Sequence, residues 1–244
     1  MKKRITYLSL LCISLLFNNT ELIAQKNKKL VIEDELIELS EKAHSFVYSQ
    51  DDSLTHYGNL FNATLENYII TNPNSISSSF DILQDKTSVR IVTSSDKNFR
   101  IYSWEDFSTG TMKFFKVLFQ YKVGKDVKTE LLQGASNDPV DPLYFFSEIF
   151  TVQSKQKTIY LAVSNAIYSN KDLNQSIQAF SIENEQLNSS LEVFKTTSLS
   201  LNKISVDFDF FSVIDREERP LQLITYDDKD KIVNIPIVTK EGFV

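Results

Sequence analysis

The sequence predicts an α+β fold, with two or three N-terminal helices packed on an extensive antiparallel β-sheet or meander. Three observations lead there. Apolar positions recur at helical spacing over about 30–84. From about 87 to 244 the period falls to two, and polar turn clusters cut that part into short β-prone runs with no helical segment of any length between them. Of 244 residues 42% are hydrophobic, and eighteen Phe and ten Tyr stand against five Gly and five Pro. That composition supplies a core and excludes disordered and collagen-like classes.

The helical part reads as follows. Leu36, Leu39, Ala43, Phe46 and Val47 form one stripe over 30–48. Gln50 to Ser53 makes a turn, and Asp52 or Ser53 can cap a second helix carrying Leu54, Tyr57, Phe61, Leu65, Tyr68 and Ile69. Asn72-Pro73-Asn74 ends it, because proline lacks an N–H and disfavours helical geometry in the residue before it. A short third helix is expected around 77–83, weakened by its serines.

In the β-rich part, 88–93 and 98–104 pair as a hairpin across Ser94 to Lys97, and 111–122 makes a strand covered on both faces. Gly124-Lys125-Asp126 turns the chain into 127–132. The stretch 134–142, with two prolines, is the best candidate boundary, or else a long loop within one domain. Strands follow at 144–152, 157–165, 178–183, 191–195, 204–211, 221–226 and 232–238, with a single helical turn at 172–176 and a final edge strand very short or lost. No fixed repeat period supports a propeller.

The N-terminus has the layout of an export signal: Lys2, Lys3 and Arg4, an apolar run from Ile5 to Phe17, then a polar stretch, with cleavage expected near Ala24. This mostly apolar stretch of thirteen residues falls short of the roughly 20 needed to span a bilayer as a helix. The single cysteine, Cys12, follows Leu11 rather than a small residue and lies inside the apolar run, so it goes with the signal instead of being lipidated. The expected product, 25–244, is a single domain with no transmembrane segment and no thiol. Removing three positive charges and one negative charge takes the formal charge from −6 to about −8. Nucleic acid is excluded as a partner, because its binding draws on Lys and Arg against phosphate.

The segment Ser95 to Phe115, the phrase Ile182-Glu183-Asn184 and a signal ending in Ala-Gln resemble uncharacterised exported proteins of Bacteroidetes-type bacteria. The similarity covers most of the mature chain. It departs at Thr109-Gly110-Thr111, where members carry a Gly pair after the Thr. The resemblance implies a periplasmic or secreted location and brings no catalytic residue, metal or cofactor.

Few residues offer chemistry. His44 and His56 lie on either side of the first helical turn, where Glu41 or Asp52 could complete a surface metal site, but two histidines on helix surfaces explain them as well. No G-x-S-x-G elbow, phosphate loop or dinucleotide fingerprint is present. Asp207 and Asp209 share one face of a strand and are the candidate pair for carboxylate chemistry. Asp227, Asp228 and Asp230 crowd a turn that could attract calcium, without the EF-hand spacing. The most distinctive group is Arg100, Tyr102 and Trp104, which share a strand face opposite Phe99 and Ile101. Exposed, they would make a binding surface for a protein, peptide or glycan; alternatively, Tyr102 and Trp104 pack under the first two helices. The sequence therefore favours an exported, non-enzymatic binding or interaction domain, ahead of an exported hydrolase using a carboxylate pair, with or without a divalent metal.

Overall fold

A computed structural model of the chain describes residues 29–46, 53–107, 111–132, 144–195, 198–239 and 242–243. The export signal with Cys12 and its cut site, the 134–142 break, and Asp52 lie outside them. The α+β expectation holds. Helices α1 (29–45) and α2 (Ser53–Thr71) come first, then a 3₁₀ turn Pro73–Ser77 and a short α3 (Asp81–Lys86). Strands β1 (Arg90–Thr93), β2 (Phe99–Glu105), β3 (Phe115–Val123) and β4 (Asp126–Leu131) form one antiparallel meander. A second consists of β5 (Phe145–Gln153), β6 (Thr158–Ile167), β7 (Asp172–Glu183) and β8 (Gln186–Asn188), with β11 (Lys203–Asp209) beside the first half of β7.

The chain thus builds two stacked sheets, where the sequence suggested one extensive sheet. Phe99, Ile101, Val117 and Phe119 of the first sheet interlock with Phe146, Tyr160, Ala162 and Phe180 of the second. On its other face the first sheet gives Tyr102, Trp104 and Leu118 to the helices, where Leu36, Phe61, Leu65 and Ile69 complete the core. β2 and β3 are therefore the middle of a helix–sheet–sheet stack, so both their faces are buried and alternation no longer marks an outside. The core between the sheets draws on both sides of the 133–143 segment.

The outer face of the second sheet is covered by irregular C-terminal chain. Ile224 and Val233 pack on Leu161, Val163 and Ile177. Short pairs β9 (Phe194–Lys195) with β10 (Ser200–Leu201), β12 (Thr225–Asp227) with β13 (Ile232–Asn234), and β14 (Val238–Thr239) with β15 (Gly242–Phe243) run through this region. Three local expectations are corrected. The 172–176 segment is not a helical turn but the start of the twelve-residue β7, because Asn174, Gln175 and Ser176 find sheet partners: Gln175 Nε2 donates to Asn165 Oδ1 and to the Leu221 carbonyl at 2.8 and 2.6 Å. The third helix starts later than expected, at Asp81, since the serines instead close the preceding 3₁₀ turn. The expected strand 221–226 shrinks to β12, its first residues held by side chains such as Gln175, whose Oε1 accepts the Ile224 N–H at 2.7 Å.

Two predictions arise from the helical layer. A Cβ added at Gly58 would stand 2.9 Å from the Phe107 Cβ. In an open helix Gly→Ala gains about 1 kcal/mol; here Gly58→Ala is expected to destabilise by about 1–2 kcal/mol, read by denaturant titration, because the rigid base of Phe107 has to move. The second concerns Glu33, which occupies a buried position of α1 between Lys29, Tyr68 and Asp81. Among the described residues neither of its oxygens has a hydrogen-bond partner, and the Lys29 ammonium stands 3.5 Å away. Burial pushes its pKa up against the pull of Lys29. An acid with a raised folded-state pKa favours the native state at low pH and loses that advantage as the pH climbs through the folded value. Glu33→Gln is therefore expected to raise stability by about 1 kcal/mol at neutral pH, with the gain gone below about pH 4. A pH-independent difference would contradict this.

Candidate functional site

The three residues proposed as a surface are buried: Tyr102 and Trp104 are 0% exposed and Arg100 9%. The expectation of a binding face there is corrected, and the alternative packing under the helices is what is found. The three tie the sheet to the helical layer at two places, Trp104 at α2 and the other two at the 3₁₀ turn around Ser75. Trp104 Nε1 donates to Asn62 Oδ1 of α2 at 2.8 Å, and Asn62 Nδ2 donates to Asp106 at 2.6 Å. The Tyr102 hydroxyl donates to Gln120 Oε1 at 2.9 Å, while Gln120 Nε2 donates to Ser75 Oγ at 2.9 Å and to the Ile69 carbonyl at 3.3 Å. Arg100 Nη1 donates to the Ser75 and Ser78 carbonyls at 2.6 and 2.7 Å, and its Nε to Thr93 Oγ1 at 2.7 Å. A polar stripe that looked outward on a lone strand is a row of anchors once a helix layer lies over it.

The other candidates are also drawn into structural work. The His44 ring packs edge-on to Phe107 and its Nδ1 stands 2.7 Å from the Ser40 carbonyl, while His56 packs against Tyr57. Asp207 accepts from Asn174 Nδ2 at 2.7 Å; Asp209 accepts the Phe211 N–H at 2.9 Å at the head of a 3₁₀ turn and faces Lys171 at 3.3 Å. Asp227 takes the N–H groups of Lys229 and Asp230 at 2.8 and 3.1 Å, and Asp228 pairs with Lys231 at 2.7 Å. Among the described residues no three His, Cys, Asp or Glu side chains stand together as a metal site.

The site that the fold does create is at one end of the sandwich. The strands of each meander run up and down, so the turns β1–β2 (94–98), β3–β4 (124–125), β5–β6 (154–157) and β7–β8 (184–185) share that end. Contacts between them confirm it: Tyr160 donates to Asp96 at 2.9 Å, the Ser95 N–H to Thr151 Oγ1 at 3.0 Å, and Lys128 to the Glu185 carbonyl at 2.9 Å. Positive φ at Lys97, Gly124, Asn184 and Glu185 gives three of the turns their tight reversal. The β12–β13 turn joins them, because Asp228 and Lys231 line one cleft together with Ser95 and Gln153.

Asp96 organises the β1–β2 turn. Burial raises its pKa, but hydrogen bonds from Ser94 Oγ, the Asn98 backbone, the Tyr160 hydroxyl and the Asn98 amide outweigh that and hold it below the usual carboxylate range. Tyr160 is correspondingly pushed up, by burial first and then by its bond to the Asp96 anion, so it stays a neutral donor. Two open clefts flank this turn. One, of about 420 Å³, lies at the mouth between the sheets and is lined by Asn98, Lys122, Gly124, Gln156, Thr158 and Ile182, with Lys157 paired to Glu183 at 2.7 Å on its rim. The other, of about 440 Å³, lies at the edge of β5 against the β12–β13 hairpin. The sequence marks each turn by its polar cluster, but nothing in it says that the turns meet.

The molecule belongs to the α+β class: a two-sheet β-sandwich with helices across one face and five of its hairpin turns gathered at one end. Comparison with protein families, with curated proteins and with solved structures gives no match, so geometry carries the functional reading.

Proposed function

We propose that this chain is an exported, non-catalytic binding protein whose recognition surface is the hairpin-turn end of the sandwich. The observation that carries the reading is the convergence of five turns around two open clefts on a scaffold with two buried aromatic cores. Turns tolerate varied side chains while a packed sandwich fixes their positions, which is why binding sites concentrate on such ends. The export half of the proposal rests on the charged–apolar–polar leader and on the resemblance to exported Bacteroidetes-type proteins.

Hydrogen exchange tests the surface. The purified mature protein is incubated with the solubilised envelope and polysaccharide fraction of the producing cell, and slowed exchange is expected at 94–98, 123–126, 154–157 and 183–186. Protection confined to the helical layer, or none at all, would overturn the proposal. N-terminal sequencing of native material should begin near Gln25; a chain beginning at Met1 would sink the export half.

A further inference from the structure

We infer that the cleft between the edge of β5 and the β12–β13 hairpin takes one residue of a neutral sugar chain; this rests on the binding role proposed for the turn end. Phe150 and Tyr226 contribute an aromatic pair, ring centroids 5.3 Å apart and tilted by 39°, and both rings are only partly buried. Such rings offer flat apolar area to the C–H face of a pyranose. Around them stand Ser95, Thr151, Gln153, Asp228 and Lys231. A volume of about 440 Å³ falls within the 300–1,000 Å³ of small-molecule sites, which likewise combine aromatic walls with a few polar groups.

Two observations select a neutral polyhydroxylated ligand. The only ammonium lining the cleft, that of Lys231, is already matched by Asp228 at 2.7 Å, so the cleft offers no net charge to an anion. The rim mixes donors and acceptors: Gln153 Oε1 accepts from Thr158 at 3.0 Å and leaves its amide N–H groups to donate, Thr151 Oγ1 accepts from Ser95 and keeps its own proton to give, and the Asp228 carboxylate accepts. A sugar hydroxyl, donor and acceptor at once, suits such a rim.

Affinity electrophoresis in gels containing dextran, galactomannan, xyloglucan or mixed-linkage β-glucan tests this, with polygalacturonate as the anionic comparison. Retardation is expected in at least one neutral gel. Gln153→Ala and Asp228→Ala, both at exposed positions, should each weaken it about tenfold, the effect of losing one good polar contact. The inference is overturned if no neutral polysaccharide retards the protein, if only polygalacturonate does so, or if these variants migrate like the parent. Slowed exchange at the turns with envelope material, together with failure of every neutral gel, would leave the turn-end reading standing and remove the sugar; loss of both would remove the reading itself.

Discussion

Replacing Trp104 by alanine is expected to destabilise the protein by about 3–5 kcal/mol, a fall in melting temperature of about 10 °C for a domain of this size. Trp104 is the chain's single tryptophan and is fully buried between β2 and α2. Its loss empties the largest fully buried side-chain volume of the core and strips Asn62 Oδ1 of its donor. Trp104→Phe separates the two effects: much of the ring volume stays, and the orphaned Asn62 oxygen costs about 1–3 kcal/mol. Circular dichroism reads both variants. In the parent, the indole emission should be blue-shifted and resist acrylamide. Quenching as efficient as that of free tryptophan would mean that the helices do not cover this face.

Arg100→Met should cost about 2–4 kcal/mol in denaturant titration, although the apolar stem is nearly conserved. The guanidinium bonds the Ser75 and Ser78 carbonyls and Thr93 Oγ1, and lies 5.7 Å from the Tyr102 ring centroid. Methionine takes the Arg100 donor from the half-buried Ser78 carbonyl and leaves the buried Ser75 carbonyl with the Ser78 N–H alone. Arg100→Lys should recover only part of the loss, because one ammonium cannot reproduce a planar fork with three separately aimed N–H groups. Hydrogen exchange should rise across Pro73–Ser78 while β6 and β7 stay protected. A loss spread evenly over both sheets would contradict the anchoring role.

The helical stripe of α2 was legible because 3.6-residue periodicity survives any arrangement of neighbours: of the six expected positions, Leu54, Phe61, Leu65, Tyr68 and Ile69 are buried. The first hairpin was legible for a similar reason, since Ser94 to Lys97 encode a local reversal whose register, Thr93 to Arg100, follows directly. The site was not. Arg100, Tyr102 and Trp104 carry the side chains of an exposed recognition face, and also those of buried hydrogen-bonded anchors. Residue type does not separate the two readings, since both use large side chains with polar ends. Phe150 and Tyr226 stand 76 residues apart and meet only because β12 crosses the outer face of the second sheet.

The sequence by itself determined the class, the order of helices before strands, the turn positions and the apolar stripes, because these depend on periods and backbone preferences within a dozen residues. Tertiary structure alone decided that there are two sheets, that both faces of β2 lie in cores, and that the turns of separate hairpins share one end. Those outcomes follow from which apolar faces bury each other, a long-range choice that many strand orders satisfy locally and only the packed whole resolves.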